Sequence, residues 1–288
     1  MGDLIKETPY SEITATLETL DMYGVSREHL AQLRRDHECA KRIARFIRQG
    51  DLAKRSIHMN FAQAIMPSEN FFGTGEWKFL YDVNFTDKQL RKVAEFPWSE
   101  DVLNAPCPFH KGKSIKETHF AFLGLDHILG KPLTILKWQK IHPKLGQPQF
   151  FSYASDNWHA KDWYAEKFGN KLTCGFRWYL MPLEIVPNSA EKTYQEQVKM
   201  LPDDYKVPSA IEEVTKDILY FRKNGIYLDF DSTRAYLNSA MEGRCQDVVL
   251  SSERISVGDF DKDGLVIYRH QDEFCDCSIG IAASRKLP

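Results

Sequence analysis

The sequence lacks most of the signatures that announce a reaction. It has no Gly-rich phosphate loop, no strained nucleophile turn and no paired-histidine zinc helix, so phosphoryl transfer, serine-type acyl transfer and metalloprotease chemistry have no local foundation. "FFGTGEWKF" contains Gly73 and Gly75 but not the third glycine of a dinucleotide fingerprint. No stretch approaches the ~20 apolar residues that span a bilayer. The opening "MGDLIKETPYSEI" carries acids and no apolar run. These absences predict no export signal, a cytoplasmic address and no membrane partner. Repeats and low-complexity tracts are also missing. Net charge is small, with 38 basic against 40 acidic residues, so an electrostatic partner must be met by a local patch.

Cysteine is present but unpatterned. The six cysteines, at 39, 107, 174, 245, 275 and 277, read as reduced thiols in a chain with no export signal. Zinc would need "CPFH" (Cys107, His110) to meet "CDC" (Cys275, Cys277) across the fold, and the usual twin two-residue spacings are absent. No metal and no cofactor are expected.

What is there is ample core material. The chain has 288 residues, 43% of them hydrophobic and 12% aromatic, which is enough to bury a large interior. The first ~60 residues read as helices, one in "SEITATLETLDMYG" capped by Ser11 and stopped by Gly24, the next from Ser26 to before Gly50. In the second, Leu30, Leu33, His37, Ala40, Ala44 and Ile47 make an apolar stripe. Arg27, Arg34, Lys41 and Arg48 recur every seven residues on another side. That basic ridge suits phosphate contact from a helix-turn-helix, making nucleic acid a candidate partner, or else a solvated face beside an oligomer or domain contact.

A boundary falls in "NFAQAIMPSEN", dividing a helical segment over 1–62 from a domain over 68–288. In that domain "TDKQLRKVAEF" is a helix capped by Thr86, and "PWSEDVLNAPCPFHKGKSIKE" reads as loop. "THFAFLGL" and "PLTILKW" read as buried strands, and "FFSYASDNW" as a further strand. "HAKDWYAEKFG" reads as a short helix and "CGFRWYLMPLEIV" as a strand whose Pro182 marks an edge or bend. "KTYQEQVKML" and "SAIEEVTKDILYFRKNG" are helices; Ile211, Val214, Ile218 and Phe221 share one side of the second, which Gly225 ends. Short strands follow: "GIYLDF", "RAYL", "DVVLSS", "RISVGDF", "GLVIYR" and "SIGIAAS". Asp263-Gly264 signals a hairpin between "RISVGDF" and "GLVIYR". The fold class is α+β, with N-terminal helices and a mixed domain ending in an antiparallel sheet.

Three groups of residues invite chemistry. "DFDKDG" copies the opening of a calcium loop through Asp259, Asp261, Asp263 and Gly264, but its twelfth position is His270 rather than a bidentate Glu, and its flanks read as strands; a metal-free hairpin is the expectation. His119, Asp126, His127, Asp156 and His159 could supply the acid-base pair of a hydrolase if they converge in a pocket. Trp138, Trp158, Trp163 and Trp178 could line a groove, though indoles in so aromatic a chain belong more often to the core.

The strings "FPWSEDVLNAPCPF", "GKSIKETHFAFLGL", "GKPLTILKWQ", "TCGFRWYLMPLEIVP", "VPSAIEEVTKDILYFRKNGIYL", "VGDFDKDGL" and "IGIAASRK" carry a resemblance over about 96–286. On these the chain resembles a family of hypothetical bacterial proteins with no assigned activity. Its layout is similar to the target proteins of diversity-generating retroelements. The resemblance implies a variable stretch after Gly264-Leu265, framed by Val257, Gly258, Phe260, Gly264, Leu265, Gly280 and Arg285, on a C-type-lectin-like fold. The "GGSW" signature of that fold is not present, and "IGIAASRK" matches its closing pattern only loosely. Such elements mutate adenines, and an AAC-type codon can then reach the residues at Val266, Ile267, Tyr268, Arg269, His270, Phe274, Cys275, Asp276, Cys277 and Ser278. Gln271 and Glu273 lie outside that set and would be fixed.

The expectation is therefore a non-enzymatic protein presenting Asp259, Val266, Tyr268, Arg269, His270, Phe274, Asp276 and Ser278 to a protein or other macromolecular ligand. A sheet-borne surface can vary side chains while its backbone stays put. Tyr, Arg, His and Phe are also residue types that carry interface energy.

Overall fold

A computed structural model describes residues 9–22, 25–36, 61–144, 147–151, 169–228, 242–250 and 252–288. The chain divides into two compact units, Met1–Ser56 and Ile57–Pro288. In the first, α1 spans Tyr10–Met22 and α2 spans Arg27–Arg35. Ser11 lies inside α1 rather than ahead of it. Ser26 caps α2 reciprocally with His29: its N–H donates to His29 Nδ1 at 3.0 Å, and its hydroxyl accepts from the His29 N–H at 3.5 Å. The extension expected to Gly50 lies outside the described residues.

The second unit opens with α3 (Phe61–Ile65), a 3-10 turn over Ser68–Asn70 and β1 (Phe71–Phe72). The "GTG" of the sequence starts a helix, α4 (Thr74–Tyr81), where Glu76 accepts from the Gly73 N–H at 2.8 Å. Thr86 forms a full capping box with Gln89 at the head of α5 (Asp87–Val93), as expected. The stretch read as loop holds two short helices, α6 (Glu100–Asn104) and α7 (Ile115–Thr118), begun by Ser99 and Ser114. β2 (His119–Gly124) is the buried strand of "THFAFLGL", and β3 (His127–Ile128) with β4 (Lys131–Pro132) makes a small hairpin. "PLTILKW" is not a strand. Its Thr134 caps α8 (Ile135–Ile141) by accepting from the Lys137 N–H at 3.2 Å, and Ile135 and Trp138, three apart, are both fully buried. The rest of the unit comprises β5 (Arg177–Pro182), α9 (Tyr194–Val198), β6 (Tyr205–Lys206), α10 (Ala210–Asn224), β7 (Glu242–Leu250), β8 (Glu253–Asp261), β9 (Gly264–Gln271), β10 (Ile279–Ile281) and β11 (Ser284–Arg285). "RAYL" and most of "FFSYASDNW" and "HAKDWYAEKFG" fall outside the described residues, and the described part of "GIYLDF" is not a strand.

Two sheets organise these elements. In the first, β2 lies between β1, which it pairs in parallel, and β5, which it pairs antiparallel from His119↔Pro182 to Gly124↔Arg177. Pro182 thus ends an edge strand, where its missing N–H costs no ladder bond. The second sheet has the order β10-β7-β8-β9. It is antiparallel except that β10 joins β7 in parallel. The α+β class holds, with a mixed C-terminal sheet.

Helix α10 packs on both sheets. Tyr220 meets Phe120 of β2 at 5.3 Å, and Phe221 meets Phe260 of β8 at 5.5 Å. Ile211, Val214, Ile218 and Phe221 are buried together as their spacing predicts, but Glu212, Glu213, Thr215, Lys216 and Asp217 are buried too. Gly225 closes the helix in the left-handed conformation at φ 70°. Trp77, Trp138 and Trp178 fill the core, and their ring N–H groups reach Leu123 O, Thr215 Oγ1 and Val93 O at 2.7, 3.2 and 2.9 Å. Trp158 and Trp163 lie outside the described residues.

Candidate binding face

Hairpin β8–β9 turns through Lys262 and Asp263, as Asp263-Gly264 predicts. The Asp261 carboxylate caps the turn, accepting from the N–H groups of Asp263 (2.7 Å) and Gly264 (3.3 Å). The register slips between Gly258↔Val266 and Asp261↔Gly264, and Asp259 sits in that slip at φ 47°. Gly264 is obligatory: at φ 131°, a Cβ there would lie 2.4 Å from the Phe151 nitrogen. "DFDKDG" is therefore a bulged hairpin with one aspartate committed to its own backbone. Among the described residues, no three His, Cys, Asp or Glu side chains are grouped to hold a metal. Cys107 is buried while Cys275 and Cys277 are exposed, and all three are free thiols.

Strand alternation divides the sheet. Ile255, Val257 and Leu265 join the main core, with Ile267 packed against it. The opposite face carries the cross-strand rows Glu242↔Gly258↔Val266 and Arg244↔Ser256↔Tyr268, and then Arg254↔His270. At its centre Glu242 is buried, and its Oε2 accepts from the Ser256 hydroxyl at 2.6 Å. His270 Nε2 lies 3.1 Å from the same oxygen and so carries its proton there. The His270 ring stacks on Phe274 with centroids 5.4 Å apart and planes 7° apart, and Tyr268 lies 5.9 Å away. Phe274 is 46% exposed.

The loop after β9 is pinned through its backbone. Arg244, fully buried, donates to the carbonyls of Lys192 (3.2 Å), Gln271 (3.3 Å) and Phe274 and to Gln197 Oε1 (3.1 Å). Asp272 N–H donates to Ser252 O at 2.8 Å, and the Asp272 carboxylate pairs with Arg254 at 2.9 Å. Glu191 N–H reaches Asp276 O at 3.0 Å. The Ser278 hydroxyl and N–H, at 2.6 and 2.8 Å from Asp276 Oδ1, hold that carboxyl below the usual carboxylate range. Burial pushes the Asp259 carboxyl up, with Glu242 and Asp261 adding repulsion.

Of the residues expected to face a ligand, Tyr268, His270, Phe274, Asp276 and Ser278 gather on this face and loop, with Asp259 at the bulge beside it. Arg269 does not join them: opposite Ile255 in register, it alternates to the other side of β9, where it pairs with Glu253 at 3.2 Å. Val266 is a correction: it shares the row of Tyr268 and His270 in register, yet only 5% of it is exposed, so it is not a contact residue. Sequence reasoning missed Glu242, Arg244 and Ser256. The one hint was the alternation in "EGRCQ", which puts Glu242 and Arg244 opposite to Gly243 and Cys245.

The described acid-base candidates do not converge. His119 is fully buried, bonded to Thr118 Oγ1 (3.0 Å) and the Tyr205 hydroxyl (2.9 Å), and burial drives its pKa down to about 3, leaving a neutral ring. Asp126 and His127 pair at the surface at 3.4 Å, each about half exposed. Asp156 and His159 lie outside the described residues. The Ser256–Glu242–His270 group is no nucleophile relay, because the serine donates to the carboxylate, not to the imidazole, and is sealed from solvent. A groove beside Tyr194, Tyr205 and Lys206 and a hollow beside Phe71 and Trp178 contain no histidine. In α2, Arg27 and Arg34 are exposed, while His37, Lys41 and Arg48 lie outside the described residues. No helix among the described residues is long and apolar enough to cross a membrane.

No family model, no curated protein and no solved structure matches this chain.

Proposed function

We propose that this protein is a non-enzymatic binder that offers the outer face of β7–β9 and the loop 272–278 to a protein or other macromolecular ligand. The resemblance to targets of diversity-generating retroelements, with their lectin-like architecture, belongs to the same proposal. One observation carries it: the segment is held in place largely through main-chain atoms. Arg244 grips the carbonyls of Gln271 and Phe274, and those acceptors persist whatever side chains the two residues bear. Six of the seven framing residues are interior, with Val257, Phe260 and Leu265 at most 1% exposed and Gly258, Gly264 and Gly280 buried; Arg285 is partly exposed and pairs with Asp204 at 2.7 Å. Tyr268, His270, Phe274, Asp276 and Ser278 lie on the outer face and loop, although Val266 is buried and Ile267 packs against the core, and that outer set suits a surface whose side chains change on a constant backbone.

The test is the DNA beside this gene. The reading expects a reverse transcriptase and a near-copy of the segment encoding residues 254–285, differing from it mainly at adenines. A locus with neither, in several strains carrying the gene, removes diversification and leaves an ordinary sheet face.

A further inference from the structure

A second surface stands apart from the binding face. Between Asp126 and Asp156 the chain contains no acidic residue, although it has 40 elsewhere and around this gap. Within that gap Lys131, Lys137, Lys140 and Lys144 occupy β4, α8 and the residues just after it. Lys131, Lys140 and Lys144 are exposed. Lys137 and Lys140, three apart, fall on the side of α8 away from the buried Ile135 and Trp138. Among the described residues, none of the four ammonium groups has a carboxylate at ion-pair distance. The sequence concentrates positive charge over this stretch with no acid inside it.

The tip of the β3–β4 hairpin adds an independent oddity. Ile128 pairs with Lys131, so the turn residues are Leu129 and Gly130, at φ 50° and 72°. Both central residues of such a turn are left-handed, and the first is ordinarily Asn, Asp or Gly. A leucine there is strained, and this one is 77% exposed. Neither the strain nor the exposed aliphatic surface helps the fold, so the side chain is explained by something outside it.

We propose that the β3–β4 hairpin and the outer side of α8 form a docking surface for an anionic lipid bilayer, with Leu129 entering the interface and the lysines lying against the headgroups. Lysine is suited to diffuse anionic surfaces, where it acts as a point charge without geometric demands. A nucleic acid duplex would use the lysines but give Leu129 nothing to enter, and the segment from His127 to Lys144 has no arginine to read base edges. The affinity is modest and salt-sensitive, because each lysine contributes roughly fivefold, the equivalent of ~1 kcal/mol.

Cosedimentation of the full chain with vesicles of phosphatidylcholine alone, or with about a third phosphatidylglycerol, tests this at low and high salt. Binding is expected to the anionic vesicles only and to fall as salt rises. The double variant Lys131→Glu, Lys140→Glu is expected to weaken it ~25-fold or more. Leu129→Asn is expected to weaken it several-fold without lowering the unfolding midpoint, because asparagine tolerates the left-handed turn. That variant keeps the test independent of misfolding. Equal binding to neutral vesicles, no vesicle binding, or wild-type binding by the lysine variant overturns the proposal. So does a preference for a labelled DNA duplex that the same lysine variant abolishes.

Discussion

Replacing Arg244 with alanine lowers the unfolding midpoint by about 10 °C and opens the loop 272–278 to amide exchange. The guanidinium is fully buried and donates to three carbonyls and one side-chain amide oxygen. Truncation leaves those acceptors without a donor and an empty volume beneath the loop. Each buried unsatisfied group costs about 1–3 kcal/mol, and loss of a buried, multiply bonded charge costs about 3–5 kcal/mol in total. For a unit of this size 1 kcal/mol corresponds to about 2–4 °C, which gives the expected shift. Arg244→Lys recovers little, because one ammonium cannot reach acceptors on both sides of the fork. Differential scanning fluorimetry with hydrogen exchange checks both effects. A shift under about 2 °C would mean that the loop is held by other means.

The second large effect concerns α10. Lys216 lies 2.5 Å from Glu213 and 3.5 Å from Asp217, and all three side chains are at most 2% exposed. Among the described residues, nothing donates a hydrogen bond to Glu213 Oε2. Lys216→Met removes the cation between two buried carboxylates and is expected to destabilise by about 3–5 kcal/mol at neutral pH. The cost should shrink in mild acid, where a carboxyl can take up a proton instead. Burial holds the Glu213 carboxyl above its ordinary value of 4.5, although Lys216 pulls the other way. A raised carboxyl keeps a proton that the unfolded chain has released. The stability it contributes is therefore complete below 4.5 and is lost as pH climbs through the folded value. Glu213→Gln cannot titrate, so its stability relative to the parent should improve as pH rises above 4.5. Urea midpoints across that range decide the matter; a relative stability that falls with rising pH reverses the sign and contradicts a raised carboxyl.

Much of the scaffold was legible because its signals are local. Thr86 with Gln89, Ser209 through Gly225, and Asp263-Gly264 each specify a cap or turn within a few residues, and all three form as expected. "PLTILKW" forms a helix where its composition suggests a strand, because a short apolar run does not distinguish a buried strand from a buried helix. The deciding signals were the Thr134 cap and the three-residue spacing of Ile135, Trp138 and Ile141. Helices of five and four residues after Ser99 and Ser114 are too short to show a period. The buried charges of α10 escaped notice for another reason: whether Glu213 and Lys216 meet solvent depends on what packs over them, which no spacing within the helix reveals.

The candidate face was legible in its residue types and illegible in its support. Tyr268, His270 and Phe274 are recognisable as contact residues, but His270 is fixed by Glu242 and the loop by Arg244, 28 and 30 residues earlier in the chain. Strand alternation gave the side on which Val266 lies, but not whether that part of the side is covered.

The most direct measurement is a comparison of two combinatorial libraries, read by protease resistance of the displayed full chain. One randomises Tyr268, His270 and Phe274; the other randomises Arg244, Val257, Phe260 and Leu265. The account predicts that most members of the first library remain as resistant as the parent and that nearly all of the second are cleaved. Equal collapse of both would show that the outer side chains are themselves part of the scaffold, and the face could not then be a replaceable binding surface.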